Sequence, residues 1–268
     1  MIGAIVGDIA GSRFEFHNRK TKEFTLLVSP GEGRRHCHFT DDTVMTLAVA
    51  QALLDWRVSG AGDLADLSAA AVGRMQEFGR RYPHAGYGGH FRAWILAEDP
   101  QPYNSWGNGA AMRVSACGWV GRTLDEVKTL SRTVTEVTHD HPEGIKGAEA
   151  TAVCVFLARQ GKSKDEIKAY VREHYYPLDF TLDEIRPGYS FDVSCQGSVP
   201  QALEAFFEAT SFEDAIRNAI SVGGDSDTIG AICGAVAEAF YGVPDEIRVK
   251  AMTFLPQHLR DVVGRIEV

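Results

Sequence analysis

The sequence predicts an all-α protein, a compact orthogonal multi-helix bundle, and three observations carry that prediction. Apolar residues recur at helical spacing: Met45, Ala48, Val49, Ala52, Leu53 and Trp56 form the stripe of a core-facing helix. Ile229, Ile232, Cys233, Val236 and Phe240 repeat most of that pattern, and Val199, Leu203, Phe206 and Phe207 do so more briefly. Alternating strand patterns are nearly absent. Phe24 to Val28 is the one reasonable strand candidate, and an extended loop accounts for it equally well. Finally, several helical stretches are rich in small residues, as in Gly230 to Ala237, which lets helix axes approach closely.

Further helical patterns cover residues 63–81, 109–120, 124–137, 144–160, 163–174, 211–221 and 245–264. The longest stretch without periodicity, 175–197, reads as a functional loop rather than a linker. No internal repeat or low-complexity segment divides the chain, so residues 1–268 are expected to form one domain.

The 268 residues, 44% of them hydrophobic, suffice to bury a large core without disulfides. The net charge is −9 and no basic run occurs, which argues against nucleic-acid binding through phosphate neutralisation. Cys37, Cys117, Cys154, Cys195 and Cys233 are odd in number, scattered and without a Cys-x-x-Cys pair. That pattern fits neither a disulfide framework nor a structural zinc site, and it suits a reducing cytoplasm. The apolar start is short, lacks a basic region and carries Asp8, so a signal peptide is not expected. No apolar run reaches membrane-spanning length. A monomer is expected, since no large apolar face stands out.

Two acidic clusters precede two of the helical stripes: Thr40-Asp41-Asp42-Thr43 and Gly223-Gly224-Asp225-Ser226-Asp227-Thr228. Taken singly, each is explained by helix capping and by acids in a first turn. Taken together, each crowds two carboxylates and neighbouring hydroxyls into four residues, which is costly unless something positive sits among them. Such oxygen ligands suit Mg²⁺, Mn²⁺ or Ca²⁺ better than zinc. Two clusters that met in space could hold a pair of cations.

Three other segments look able to handle a ligand. The glycines Gly86, Gly88 and Gly89 would let backbone N–H groups approach an anion, or would simply form a loop. The turn Gly107-Asn108-Gly109 opens a helical pattern and fits either a phosphate site or a cap. In Thr138-His139-Asp140-His141-Pro142 one histidine is expected to donate to a ligand oxygen and the other to be structural. Glu15 is a candidate acid or base, although a solvent-exposed glutamate is the ordinary case.

Taken in order, Gly7-Asp8-Ile9-Ala10-Gly11-Ser12, Phe39-Thr40-Asp41-Asp42-Thr43, Gly107 to Arg113, Thr138 to Pro142 and Gly223 to Gly230 resemble the motifs of the ADP-ribosylglycohydrolase family. Its members act on arginine-linked, serine-linked and dinitrogen-reductase-linked ADP-ribose. The resemblance implies an all-α fold with two divalent cations, Mg²⁺ or Mn²⁺. It implies Thr40, Asp41 and Asp42 as ligands of one ion, Asp225 and Thr228 as ligands of the other, and Asp227 as the bridge. Glu15 matches the family's catalytic glutamate, with Asp42 and Asp227 beside the reaction, while Asp8 stands behind the ligands. Gly86, Gly88, Gly89, Ser105, Gly107, Asn108 and Gly109 match pyrophosphate and ribose contacts. Trp106 stands where an aromatic stacks on adenine, and His139 resembles a histidine that contacts the ligand. The implied partner is an ADP-ribosylated protein, arginine-linked in preference to serine-linked, or a small ADP-ribosyl conjugate.

Two rival readings differ in their products. A catalytically inactive ADP-ribose-binding protein of the same fold would release nothing. A metal-dependent nucleotide pyrophosphohydrolase would yield AMP and ribose phosphate. A cysteine or serine nucleophile has no recognisable base in this sequence.

Overall fold

The computed structural model describes residues 1–266. It is built from α1 (Ile2–Gly11), α2 (Asp41–Val58), α3 (Leu64–Arg81), α4 (Gly89–Leu96), a 3-10 turn (Asn108–Ala110), α5 (Ser115–Val120) and α6 (Leu124–Thr135). These are followed by α7 (Pro142–Arg159), α8 (Lys164–His174), α9 (Leu182–Ile185), α10 (Cys195–Phe207), α11 (Phe212–Val222), α12 (Ser226–Tyr241), α13 (Asp245–Met252) and α14 (Gln257–Ile266). The fold is all-α, as the periodicity predicts.

Among the described residues, residues 24–28 do not pair as a strand. They form an irregular segment with bends at Phe24 and Leu26; Leu26, Leu27 and Val28 are buried, and the Cys37 N–H donates to the Val28 carbonyl at 2.8 Å. Without a neighbouring strand the local β preference has no ladder to join.

Two helical predictions and one loop prediction need correction. The run over 109–120 is a 3-10 turn followed by the short α5, and the run over 245–264 is two helices. The second break falls at Pro256, which cannot donate to a continuing helix. The stretch 175–197 contains α9, whose Thr181 and Glu184 form a reciprocal capping box. Helix α1 was not expected at all. All ten of its residues are buried, so it has no polar face to create a period.

The centre of the molecule is the crossing of α1 and α12, with α2, α7, α10 and α11 packed around them. Glycines on both helices allow an unusually close approach. A Cβ added to Gly7 would lie 1.9 Å from the Gly230 carbonyl oxygen, and one added to Gly11 would lie 2.6 Å from the Asp227 Cα. At its other end α1 is tied down by Glu238 of α12, which accepts from the Gly3 N–H at 2.8 Å and pairs with the Met1 ammonium. This crossing fixes the C-terminal end of α1, with Asp8, against the first turn of α12, with Asp227 and Thr228. All five cysteines are free and buried. No described helix is long and apolar enough to cross a membrane.

Candidate metal centre and its cleft

The two acidic clusters meet. The Thr228 hydroxyl at the start of α12 donates to Asp42 Oδ2 at the start of α2, at 3.2 Å. One oxygen each from Asp8, Asp42 and Asp227 lies within 4.8 Å of the others, and so does one each from Glu15, Asp225 and Asp227. Asp227 belongs to both sets. Asp41 is in neither; its carboxylate points toward the Gly86 loop, where a Cβ on Gly86 would come within 3.1 Å of it.

Capping explains only part of this arrangement. Thr40 does cap α2, accepting from the Asp42 N–H. Asp225 occupies the N-cap position of α12 but makes no side-chain capping bond. Its Oδ2 instead accepts from the Asn108 amide at 2.7 Å, and the same amide donates to the Ser198 hydroxyl at 3.0 Å. Asn108, expected as a ligand contact, thus spends its side-chain donors on Asp225 and Ser198.

Behind the cluster, Asp8 is fully buried and organises the start of α2. It accepts from the Thr40 N–H at 2.9 Å, the Thr40 hydroxyl at 2.7 Å, the Thr43 N–H at 3.0 Å and the Thr43 hydroxyl. These bonds favour the carboxylate, yet burial outweighs them and raises its pKa.

Its neighbours are less well supplied. Burial first, and the surrounding carboxylates second, push Asp42 and Asp227 well above the usual carboxylate range. Burial and the charge of Asp8 push Asp41 to about 8, and burial and the charge of Asp225 push Glu15 to about 7. Asp42 Oδ1 is buried with no hydrogen-bond partner. An orphaned buried carboxylate oxygen amid other acids is costly as it stands. A divalent cation would satisfy it, and the all-oxygen donor set suits a hard cation.

The acids floor a cleft of about 420 Å³. Its walls include Gly86, Gly88 and Gly89, then Ser105, Gly107, Asn108 and Gly109, and His139. Gly88 and Gly89 have open space where a side chain would stand, and they begin α4. The first turn of that helix, whose N–H groups have no partner within the helix, thus lies at the cleft wall with no side chain from Gly88 or Gly89 in the way. The loop carrying Gly107 is pinned from behind, since Asn108 N donates to the Val193 carbonyl at 2.7 Å and Cys195 N to the Trp106 carbonyl at 2.9 Å.

Trp106 is not part of the cleft wall. It sits beside Ser105 and Gly107 with 50% of its surface exposed, its ring 5.3 Å from His141. His141 is structural: its Nδ1 accepts from the Glu143 N–H at 3.1 Å and caps α7.

Tyr103, Phe191, Val193 and Arg113 also line the cleft, and sequence reasoning missed them. Phe191 and Val193 lie in the aperiodic 175–197 stretch. The reading of that stretch as a functional loop was the available signal; in the fold the two side chains are 45% and 56% exposed, respectively.

The family model for ADP-ribosylglycohydrolase matches residues 1–266. The chain belongs to the ADP-ribosylglycohydrolase family. Among curated relatives, ADP-ribosylhydrolase ARH3 of Mus musculus is 27% identical, over 91% of this chain and 83% of that protein. ADP-ribosyl-dinitrogen reductase glycohydrolase of Rhodospirillum rubrum is 28% identical, covering 91% and 85%. ADP-ribosylarginine hydrolase Tri1 of Pseudomonas putida is 27% identical, covering 91% and 70%. A solved structure titled as an ADP-ribosylglycohydrolase-related protein complex superposes with a TM-score of 0.66 at 24% identity, over 94% of this chain and 95% of that one, which supports the fold. Membership of this glycohydrolase family supports hydrolase activity, and the acidic groups described above can hold a metal ion.

Proposed function

We propose that this ADP-ribosylglycohydrolase uses two divalent cations, Mg²⁺ or Mn²⁺, to cleave the glycosidic bond between ADP-ribose and an acceptor, releasing intact ADP-ribose. Arginine-linked ADP-ribose is the preferred candidate, ahead of serine-linked, and the partner is a modified protein or a small conjugate. The observation that carries this reading is the junction of the acidic clusters: Thr228 bonded to Asp42 across the fold, beside the orphaned Asp42 Oδ1.

Thr40, Asp41 and Asp42 would serve one ion, Asp225 and Thr228 the other, with Asp227 shared. When bound, the ions supply Lewis acidity: they neutralise the crowded carboxylates, orient a sugar diol and make water more acidic.

The chain's own groups do the rest. The amides at the start of α4 and the Gly107–Gly109 loop receive the pyrophosphate, so an acidic protein binds an anion without a basic patch. His139, whose Nε2 lies against the Gly107–Gly109 loop, donates beside it. The half-exposed Trp106 offers a face on which adenine can stack. Asn108 keeps Asp225 in place. Glu15, half-buried at the edge of the acidic cluster, can hold a proton for the leaving group or take one from water. Bond cleavage through an oxocarbenium-like state needs only that water and that proton, correctly placed.

The test is product analysis with ADP-ribosyl-arginine and Mg²⁺. ADP-ribose should appear, chelation should stop its release, and Asp42→Asn should abolish it. AMP with ribose phosphate would instead mark a pyrophosphohydrolase, and tight ADP-ribose binding without turnover would mark an inactive binder.

A further inference from the structure

Arg113 is the largest fully buried side chain among the described residues, with 1% of its surface exposed. Its surroundings are sparse for a buried cation. Nη2 donates to the Thr138 hydroxyl at 2.6 Å, Nε has no partner, and the guanidinium lies 5.5 Å over the Phe91 ring. A buried charge held by one neutral hydroxyl and an aromatic face is expensive, and packing alone gives no reason to keep it. The Thr138 hydroxyl does have a second neighbour: it lies 2.7 Å from Nδ1 of His139, in the wall of the cleft.

We propose that Arg113 is a positioning residue which, through the Thr138 hydroxyl, fixes His139 as the Nε2–H tautomer and so presents a permanent N–H donor to an oxygen of the ligand in the cleft.

The argument is a count of protons and lone pairs. The Thr138 hydroxyl has one proton to give. Arg113 can only donate, so the hydroxyl must accept from it. The proton then goes either to His139 Nδ1 at 2.7 Å or to the Thr135 carbonyl at 3.3 Å. That carbonyl already accepts from the Thr138 N–H at 3.1 Å and the His139 N–H at 2.9 Å, which occupies both of its lone pairs. The shorter, unopposed route is to Nδ1. The guanidinium also polarises the hydroxyl, making it a better donor and a poorer acceptor.

With Nδ1 accepting, a neutral ring carries its proton on Nε2. The ring is neutral because burial, reinforced by the Arg113 charge, holds its pKa well below the usual histidine value. Arg113 stays charged despite burial, which lowers it only to about 10. Nε2 faces the ligand loop: a Cβ on Gly107 or on Gly109 would stand 3.5 Å from it. No described protein group accepts from it, so that donor is available to the ligand.

This inference rests on the proposed function for the identity of the ligand, but its tautomer half does not. The ring ¹⁵N spectrum of His139, assigned by its loss in His139→Gln, is read in the free protein with chelator present. The wild type should show Nε2–H. Thr138→Val, which keeps the shape and removes the hydroxyl, should lose that signature and bind ADP-ribose about tenfold more weakly, the equivalent of one hydrogen bond. Thr138→Ser should restore both, and Arg113→Lys, which keeps the charge, should retain the signature. A wild-type Nδ1–H ring, or a Thr138→Val protein that keeps both the signature and the affinity, overturns the relay. If the tautomers behave as expected but wild type fails to bind ADP-ribose, the proposed function fails and takes the ligand half of this inference with it.

Discussion

Gly7→Ala adds one methyl group where two helix backbones touch. Its carbon would sit 1.9 Å from the Gly230 carbonyl oxygen, 2.2 Å from the carbonyl carbon and 2.7 Å from the Ala231 nitrogen. Ordinary contact begins near 3.4 Å, so α1 and α12 must separate by about 1.5 Å at that point. Every atom in the way is backbone, so no side chain can swing aside. Overpacking of this kind costs about 3 kcal/mol or more, which for a chain of this size lowers Tm by roughly 6–12 °C.

The same displacement has a functional consequence. Asp8 follows Gly7 directly and orders Thr40 and Thr43, while Asp227 lies in the first turn of α12. Ligand oxygens displaced by about 1 Å lose coordination geometry, so Mn²⁺ affinity should fall at least about tenfold. Differential scanning calorimetry and Mn²⁺ titration read the two effects. Gly73→Ala is the control: that glycine lies mid-helix in α3 with nothing within 4 Å of an added Cβ, and the change should stabilise by about 0.5–1 kcal/mol. A Gly7→Ala protein with Tm within about 2 °C of wild type and unchanged Mn²⁺ affinity would refute the idea that this crossing sets the site.

Asp42→Asn should raise the Tm of the chelated protein, by about 1–2 kcal/mol of stability, because it removes a buried ionisable group with an orphaned oxygen, and it should abolish the Tm increase caused by divalent ions. The pH dependence has a definite sign. Asp41 titrates near 8 when folded and near 3.8 when unfolded, so between those values the folded metal-free chain binds more protons and its stability declines as pH rises. The gap in Tm between metal-saturated and chelated protein should therefore widen from pH 5 to pH 8, and a constant gap would contradict the assignment. Trp106→Ala should weaken ADP-ribose binding by about 1–3 kcal/mol, the value of one stacked base, while leaving binding of ribose 5-phosphate unchanged; equal losses for both would remove the stacking role.

The parts of this protein that could be read from its sequence are those with a period or a dense local motif. Helices α2 and α12 each show one apolar stripe, and each begins at an acidic cluster that a linear reading can see. Helix α1 was invisible because burial on every side erases periodicity, although its Gly3, Gly7 and Gly11 spacing, met by Gly230 and Gly234, is the sequence trace of the close crossing. That the clusters converge depends on this crossing, which no local pattern encodes. Asp8 was expected to stand behind the ligands; it makes four bonds to Thr40 and Thr43 and also comes within reach of Asp42 and Asp227 as part of a group that could hold a metal. Asn108 was read as a ligand contact and does line the cleft, but only the folded chain shows its amide turned to Asp225. Phe191 and Val193 entered the cleft from a stretch with no periodicity at all. Arg113 was quoted within a motif, but its burial beside Thr138 and His139 depends on α5, α6 and the 138–142 turn coming together.

The most direct measurement is the stoichiometry and spacing of bound Mn²⁺, by calorimetry together with electron paramagnetic resonance. Two ions per chain, magnetically coupled at a separation of roughly 3.5–4 Å, and both lost in Asp227→Asn, are what the account predicts. A single ion, or two uncoupled ions that survive loss of the Asp227 carboxylate, would contradict it.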